Sequence, residues 1–435
     1  MFSAIARVFK TPDLRRKIWF TIAIIAIYRI GAFIPAPGVD YSAVQQCLAL
    51  GTTEGGLYSF VNMFSGGAML QVSIFALGIM PYITAAIIVQ LLRVVIPRFE
   101  NLQREGAQGQ SKLTQYTRYL TIALALLNAT TLVSMARTGA LLGCDIPIIT
   151  NDVLPVVLLM ILAMVTGVAL IMWLGEQITE RGVGNGMSIL IFVSIAAGFP
   201  GAMGEIWTTQ GWRTFGMVML IGLVTIAAVV FVEQSQRRVP VQYAKRQVGR
   251  RTVGGTSTYI PIKVNMAGVI PVIFASSVLM LPSVLAQFNQ PGPGDEPSAF
   301  IQFIQTYFVG GTHPLYMAAF FLMTIFFTYF YVTITFNPNE VAENMRKFGG
   351  FIPGIRAGKP TESYLAYVIS RITFPGALYL GLIALIPLIA FVLIGANQNF
   401  PFGGTSILIM VGVGLTTVKQ INAQMEQRNY EGLLR

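Results

Sequence analysis

Long apolar runs separated by polar loops dominate the chain. Ten runs recur, and a helix needs roughly 20 apolar residues to cross a hydrocarbon core of about 30 Å. The fifth and tenth runs are short for a span, so their assignment depends partly on the even spacing of the loops. The pattern predicts an all-α polytopic membrane protein with ten transmembrane helices. The predicted spans are residues 17–35, 72–92, 118–136, 153–174, 186–200, 214–232, 266–286, 314–336, 371–394 and 404–419.

The composition and the placement of basic residues agree with this pattern. Hydrophobic residues make up 54% of the chain and charged residues only 11%, with a formal net charge of +11, which excludes an ordinary soluble domain. When loops are assigned alternately to two sides, only Arg29, Arg137 and Arg213 fall near the less basic side. Because positive charge favours the cytoplasmic side, we expect both termini in the cytoplasm. Residues 1–16 are expected to form an amphipathic segment on the membrane surface.

Two short motifs occur twice, each time five spans apart. GIMPYITAA at 78–86 resembles GVIPVIFAS at 268–276, and GMSILI at 186–191 resembles GTSILI at 404–409. An offset of five spans makes the partners run in opposite directions through the bilayer. This is typical of two inverted, pseudo-symmetric halves around a central pathway.

The repeat divides the chain into an N-terminal half at 17–200 and a C-terminal half at 201–425, followed by a cytoplasmic tail at 426–435. We expect Pro81 and Pro271 to interrupt their helices, because proline removes a backbone donor. Aligning the motifs nominates four isoleucines for a central constriction, pairing Ile83 with Ile273 and Ile191 with Ile409.

The predicted spans, their ends apart, hold no Asp, Glu, Lys or His. Ion-coupled carriers generally need an ionisable group at depth, and hydroxyls such as Ser188 and Ser276 have no visible base to activate them. The sequence therefore predicts no catalytic residue, metal site or cofactor. Two other classes stay open. A solute carrier would show saturable uptake of a small solute, and an intramembrane enzyme would lose activity when Ser188 or Ser276 is mutated.

Eight motifs carry a resemblance to a known family: YRIGAFIPAPGVD (28–40), MFSGG (63–67), FALGIMPYITAAIIVQLL (75–92), QYTRY (115–119), WLGEQITERGVGNG (173–186), KVNMAGVIPVIFASS (263–277), NPNEVAEN (337–344) and GGFIPGIR (349–356). They look like those of the SecY family, the channel-forming subunits of the bacterial Sec protein translocon, and they follow the family's order along almost the whole chain. The resemblance implies a passive pore for unfolded secretory proteins, an external plug, and a lateral gate that releases membrane-protein segments into lipid. It also implies a multi-pass protein of the bacterial plasma membrane with no chemistry of its own.

The resemblance places a ring of apolar side chains around the pore. A collar of aliphatic side chains can dilate around an unfolded chain and block ions by dewetting. Met187 departs from the isoleucine usual in the family, and its unbranched side chain is more adaptable. We call the following six the ring residues: Ile79, Ile83, Met187, Ile191, Ile273 and Ile409.

The plug and the lateral gate are also implied by the resemblance. The plug would be residues 62–70; without the resemblance, a plain external loop would be the preferred interpretation. Its members are Asn62, Phe64, Ser65, Gly66, Gly67, Ala68, Met69 and Leu70. The gate, between spans two, three, seven and eight, would use polar groups that part and re-pair, at about 0.6–2 kcal/mol for each interhelical hydrogen bond. The implied gate residues are Thr84, Gln90, Asn265, Ser276 and Ser277.

Two cytoplasmic loops are strongly basic. The loop at 235–265 alternates its charges with Val241, Tyr243 and Val248, which predicts a folded hairpin. The loop at 338–370 holds Arg356 in a glycine-flanked turn. We expect the two loops to form one cationic platform, although charges that merely orient the chain would give a similar pattern. The predicted docking residues are Arg237, Arg238, Lys245, Arg246, Arg250, Arg251 and Arg356.

The resemblance also implies partners. They are the small membrane subunits SecE and SecG, the ATPase SecA, the ribosome through its RNA phosphates, secretory and membrane-protein clients with signal sequences, accessory translocon membrane proteins, and the lipid bilayer. The two cysteines, Cys47 and Cys144, both fall in predicted external loops. Their spacing alone neither requires nor excludes a disulfide.

Overall fold

The computed structural model is predominantly helical. It describes residues 11–49, 65–137, 148–149, 153–243, 246–248, 251–253, 257–288, 298–309, 313–394 and 404–431. Most of the predicted amphipathic segment, residues 1–10, lies outside this part of the chain. The helices are α1 (Pro12–Ala32), α2 (Tyr41–Ala49), α3 (Met80–Val95), α4 (Pro97–Arg104), α5 (Ala107–Arg137), α6 (Leu154–Arg181), α7 (Gly186–Gln234), α8 (Ile270–Phe288), α9 (Ala299–Ile304), α10 (Pro314–Thr335), α11 (Pro338–Lys347), α12 (Lys359–Ile394) and α13 (Gly404–Glu431).

The chain forms two compact units. Unit 1 comprises Met1–Phe215, Asn397–Pro401 and Val413–Arg435, and unit 2 comprises Gly216–Ala396 and Phe402–Gly412. In unit 1, α5 packs against α3 and α6, and its small residues are among those in the core. In unit 2, α10 packs against α8 and α12.

Many of these helices are long and apolar enough to cross a membrane. Among the described residues, seven stretches are long and apolar enough to cross a membrane, and two further apolar helices are shorter. The seven are Ala107–Arg137, Leu154–Arg181, Gly186–Thr208, Gly211–Gln234, Pro314–Lys347, Lys359–Ile386 and Thr405–Met425, and the shorter two are Met80–Arg93 and Ile270–Leu279. All nine coincide with predicted spans, and α1 coincides with the first. The polytopic helical fold is confirmed, whereas the count of ten spans and the side of each terminus stay predictions.

The fifth and sixth predicted spans both belong to one long helix, α7. Gly211 interrupts it with φ 76° and ψ 176°. That conformation lies in a region open essentially to glycine. The interruption separates the two span-length stretches, as the sequence predicted.

The second predicted span is wrong in its first part. Residues 72–79 form successive turns, and α3 begins only at Met80. Positive φ angles at Val72 and Gly78 cannot be accommodated in an α-helix. Apolar character alone therefore does not identify this segment as helix.

The internal repeat extends to backbone conformation. Gly78 and Gly268 both have positive φ (55° and 63°), and in each copy the helix begins two residues later, directly before proline. In the other pair, α7 and α13 both begin at the glycine of the motif. The expectation that Pro81 and Pro271 interrupt helices is wrong. They stand in the first turn, where proline's missing N–H costs nothing.

A small sheet in unit 2 gathers the two basic loops. Strand β1 (Gln236–Tyr243) pairs antiparallel with β4 (Ser257–Lys263) and, on its other side, with β5 (Gly350–Phe351). Strands β2 (Arg246–Val248) and β3 (Arg251–Val253) form a second antiparallel pair. The predicted hairpin is confirmed, and β1–β5 pairing connects it directly to the second loop.

The segment that follows α1 contains the short helix α2. Asp40 precedes α2 and accepts hydrogen bonds from the Ser42 hydroxyl (2.6 Å) and amide (2.9 Å), which lower the pKa of Asp40. Cys47, on α2, is fully buried in the unit 1 core and is disulfide-bonded. The sequence holds one other cysteine, Cys144, which lies outside the described residues.

Candidate functional site

Four of the ring residues belong to unit 1. Ile79 and Ile83 are joined by a backbone hydrogen bond of 3.1 Å at the start of α3, so they share one helix face. Met187 and Ile191 occupy equivalent positions four residues apart at the start of α7. Ile79 is only 1% exposed and Ile191 is 9% exposed, whereas Ile83 is half-buried.

Met187 differs from the other ring residues in its surroundings. A side chain added to Gly175 of α6 would collide with the Met187 sulfur, so Met187 packs directly on the α6 backbone. The backbone beside this contact is equally close, because Gly186 lies against the carbonyl of Gly175. The contact gives Met187 a packing role that would exist without any pore, and it makes Met187 the least supported of the six.

The other two ring residues belong to unit 2. Ile273 lies in the first turn of α8 and is 5% exposed, and Ile409 lies in the second turn of α13 and is 3% exposed. Each occupies the position that corresponds, in the repeat, to a ring residue of unit 1. The structure therefore gives all four isoleucines nominated by the repeat the same local setting, near the N-terminus of a span.

The predicted plug is described from Ser65 onward, while Asn62 and Phe64 lie outside the described residues. Residues 66–70 form turns, with Gly66 at φ 66° and Gly67 at φ 89°. Met69 is 3% exposed within the unit 1 core, and Leu70 packs against the same core. Lifting a fully buried side chain of this size out of a core costs roughly 1.5–3 kcal/mol. Displacing the segment would therefore need a compensating gain.

The predicted gate residues are engaged within their own units. The Thr84 hydroxyl donates to the Met80 carbonyl (3.0 Å), and the Ser276 and Ser277 hydroxyls both donate to the Ile273 carbonyl (2.8 Å each). Hydroxyls commonly bond the preceding helical turn in this way. Gln90 is half-buried. The described hydrogen bonds of Thr84, Ser276 and Ser277 lie within single helices, and their assignment to the gate stays a prediction.

The described hydrogen bonds of Asn265 lie at the turn before α8. Its side-chain NH2 donates to Glu233 (2.5 Å) and to the Gly268 carbonyl (3.3 Å), and its carbonyl accepts from the Gly268 amide (2.9 Å). Asn265 is 4% exposed. It fixes the turn that precedes α8 and connects it to the end of α7.

We expect Asn265→Ala to destabilise unit 2 by about 1–3 kcal/mol, because it removes a hydrogen-bond partner of the partly buried Glu233 carboxylate and Gly268 backbone. The midpoint of thermal unfolding in detergent should fall accordingly. Ser277→Ala is the matched control, since that hydroxyl bonds only a carbonyl of its own helix. Equal midpoints for the two variants would contradict this role for Asn265.

The two basic loops are anchored in a hydrophobic core. Val239 and Val241 of β1 and Ile262 of β4 are each 1% exposed, and they pack with Ile352 of the second loop and Leu365 of α12. This burial fixes the loops as a rigid surface.

The outer face of this surface is cationic. Arg237 and Arg238 are exposed on β1, and the Arg238 guanidinium lies 4.8 Å from the centre of the Tyr259 ring. Arg356 is exposed at a turn flanked by Gly354 and Gly358, whose φ angles are 82° and 105°. Arg246 and Arg251 lie on β2 and β3, while Lys245 and Arg250 fall outside the described residues. We call the β1–β4–β5 sheet and the turn at 353–358 the platform.

Sequence reasoning missed two polar contacts of unit 1. Arg118 of α5 makes two hydrogen bonds of 2.8 Å to the carboxylate of Glu176 of α6, a bidentate geometry that is among the stronger ion pairs. Arg29 of α1 donates to the Gly66 carbonyl (2.9 Å). Arg29 stood out in the sequence as one of few basic residues near the less basic side, but the pattern named no partner for it.

Comparisons with known proteins agree with one another. The SecY family profile matches residues 73–418. The chain is 68% identical to the protein translocase subunit SecY of Micrococcus luteus, 61% identical to that of Streptomyces griseus and 56% identical to that of Mycobacterium tuberculosis, each over the full length of both chains.

Solved structures show the same fold. A protein-conducting channel superposes with a TM-score of 0.64 at 20% identity, covering 94% of this chain and 92% of that one. Sec61 in the canine ribosome–channel complex from the endoplasmic reticulum gives a TM-score of 0.60 at 19% identity, with the same coverage of each chain. The chain belongs to the SecY family.

Proposed function

We propose that this chain is the central protein-conducting channel of a Sec translocon. The observation that carries the proposal is full-length identity of 68% to a protein translocase subunit SecY. The channel passes unfolded secretory proteins across the membrane and releases membrane-protein segments sideways into lipid. It provides a path and no catalytic chemistry.

The ring residues line that path. Their side chains are aliphatic or thioether groups, so a narrow collar of them excludes water and small ions when no substrate is present. The same side chains make no directional bonds, and they therefore accept a translocating chain of any sequence. Residues 62–70 act as the plug, and Thr84, Gln90, Ser276 and Ser277 line the lateral gate with Asn265 positioning its base.

We infer the partners of the chain from the cationic platform and from its membership of the SecY family. SecE and SecG complete the membrane complex, and SecA or a ribosome supplies the driving force. Ribosome docking is supported by an anchored surface with exposed Arg237 and Arg238, since arginine binds phosphate in a bidentate manner. The relatives of known structure include Sec61 in a ribosome–channel complex. The location we propose is the bacterial plasma membrane, with accessory membrane proteins alongside.

Crosslinking of a stalled precursor tests the proposal. A photoreactive residue at Ile191 or Ile409 should crosslink a secretory precursor halted in transit, because both positions line the path. The matched control is Leu223, which is 66% exposed on α7 and is expected to face lipid. Precursor crosslinks that are as strong at Leu223 as at Ile191 and Ile409, or absent from all three while the precursor is protected from protease, would refute the proposed path.

A further inference from the structure

Residues 65–70, the described part of the proposed plug, form a segment that is seated against two helices of unit 1. Arg29 of α1 donates from Nη1 to the Gly66 carbonyl at 2.9 Å. Gly66 also meets α7 closely, since an added Cβ would come within 3.1 Å of the Ser194 Cα. The Ser194 hydroxyl is in turn 2.6 Å from the hydroxyl of fully buried Tyr28. Arg29 and Ser194 thus define a specific seat.

The residues that follow are fixed to α1 and to the segment directly after it. The Ala36 amide donates to the Val72 carbonyl and the Ile74 amide donates to the Ile34 carbonyl, both at 3.0 Å. The Phe75 ring packs so closely on Gly31 that any side chain there would collide with it. We call residues 72–75 the clamp. Its backbone and ring contacts make it the stationary end of the segment.

The junction between the seated segment and the clamp is strained. Val72 has φ 47°, a conformation that is a genuine outlier for a β-branched residue. Beside it, the Gln71 Oε1 atom is buried without a hydrogen-bond partner. Strain and an unpartnered buried acceptor both raise the free energy of the seated arrangement. Movement of the segment away from its seat would relieve both.

We propose that Arg29 is the positioning residue that holds residues 65–70 in place, and that the Gln71–Val72 junction is a strained hinge that favours their release. The inference rests on the proposed channel function. It adds that two opposing contributions set the free-energy difference between the seated and the released segment. The Arg29 bond and the core contacts of Met69 favour the seated segment, and the hinge opposes them. A substrate then needs to supply only the free-energy difference between the seated and the released segment.

Resting ion conductance of the translocon complex in planar bilayers measures this balance. Arg29→Met should raise conductance without precursor by about tenfold, because it removes a charge-assisted hydrogen bond. Arg213→Met is the control, since it removes an equal charge that is exposed on α7. We expect Arg213→Met to stay within about twofold of the parent.

The hinge is tested in the Arg29→Met background. In that variant the resting ion conductance, called the leak below, is expected to be high enough for a decrease to be measured. Gln71→Met removes the unpartnered acceptor at nearly constant volume and should reduce the leak about threefold or more. Ser73→Ala is the matched control. The Ser73 Oγ atom is also buried without a partner, but it belongs to the clamp, so its removal should leave the leak unchanged.

Each outcome bears on a defined part of the proposal. If Arg29→Met conducts like the parent while still translocating precursor, Arg29 does not hold the segment. If Ser73→Ala suppresses the leak as well as Gln71→Met does, the hinge is misplaced. Failure of the channel function itself would look different, because a precursor-occupied complex would then give no conductance and no crosslinks at Ile191.

Discussion

Replacing Ile83, Ile191, Ile273 and Ile409 together with serine is expected to raise resting ion conductance by at least about tenfold. Exclusion of water by apolar side chains is what closes such a collar. Fully burying an isoleucine side chain contributes roughly 1.5–3 kcal/mol of free energy. A change of about 1.4 kcal/mol is enough to shift the equilibrium between a dry and a hydrated collar tenfold. With four serines in place of the isoleucines, the collar should therefore be hydrated, and conduct ions, for most of the time. Planar-bilayer recordings without precursor provide the measurement.

The corresponding fourfold alanine variant is the control for the reduced side-chain volume. Alanine and serine are similar in size, but an alanine collar stays apolar and should leak much less. Retained translocation by both variants would show that the substitutions at these four positions leave the fold intact. Serine and alanine variants with equal conductance would mean that these four residues do not close the channel by dewetting.

Charge reversal on the platform is expected to separate its two proposed partners. Arg356→Glu should lower SecA-driven translocation by more than about tenfold, because a bidentate arginine contact becomes a repulsive carboxylate. SecA binding should change by only about threefold, since other platform contacts remain. The turn should survive, because Gly354 and Gly358 supply the positive φ angles and Thr361 still bonds the residue 356 carbonyl. ATP-dependent protection of a precursor in vesicles is the assay.

The paired variant Arg250→Glu with Arg251→Glu addresses the ribosome. Binding should weaken, and the slope of log affinity against log salt should flatten by about one for each RNA phosphate that the protein no longer neutralises. Lys347→Glu, exposed at the end of α11, is the control for a generic change of charge. If all reversed-charge proteins bind ribosomes and translocate like Lys347→Glu, the basic loops serve only to orient the chain.

Much of the architecture could be predicted from local sequence alone. Apolar runs locate the spans because the bilayer core demands length and uniform hydrophobicity. The two repeated motif pairs, GIMPYITAA with GVIPVIFAS and GMSILI with GTSILI, nominated two isoleucines each, and the structure places all four near the start of a helix. Alternating charges and valines in the basic loop predicted a hairpin, because one strand face had to be buried. These features are encoded within a few neighbouring residues.

Contacts between distant segments were decided only by tertiary structure. The apolar pattern of residues 72–79 predicts a membrane helix, yet these residues are not helical. Backbone hydrogen bonds join Val72 and Ile74 to the segment directly after α1. The sequence named no partner for Asn265, and the fold places Glu233 beside it. Arg29 and Gly66 are 37 positions apart, and β1 and β5 lie roughly a hundred residues apart in the chain. No local pattern specifies such partners, because which groups meet depends on how whole helices and strands pack.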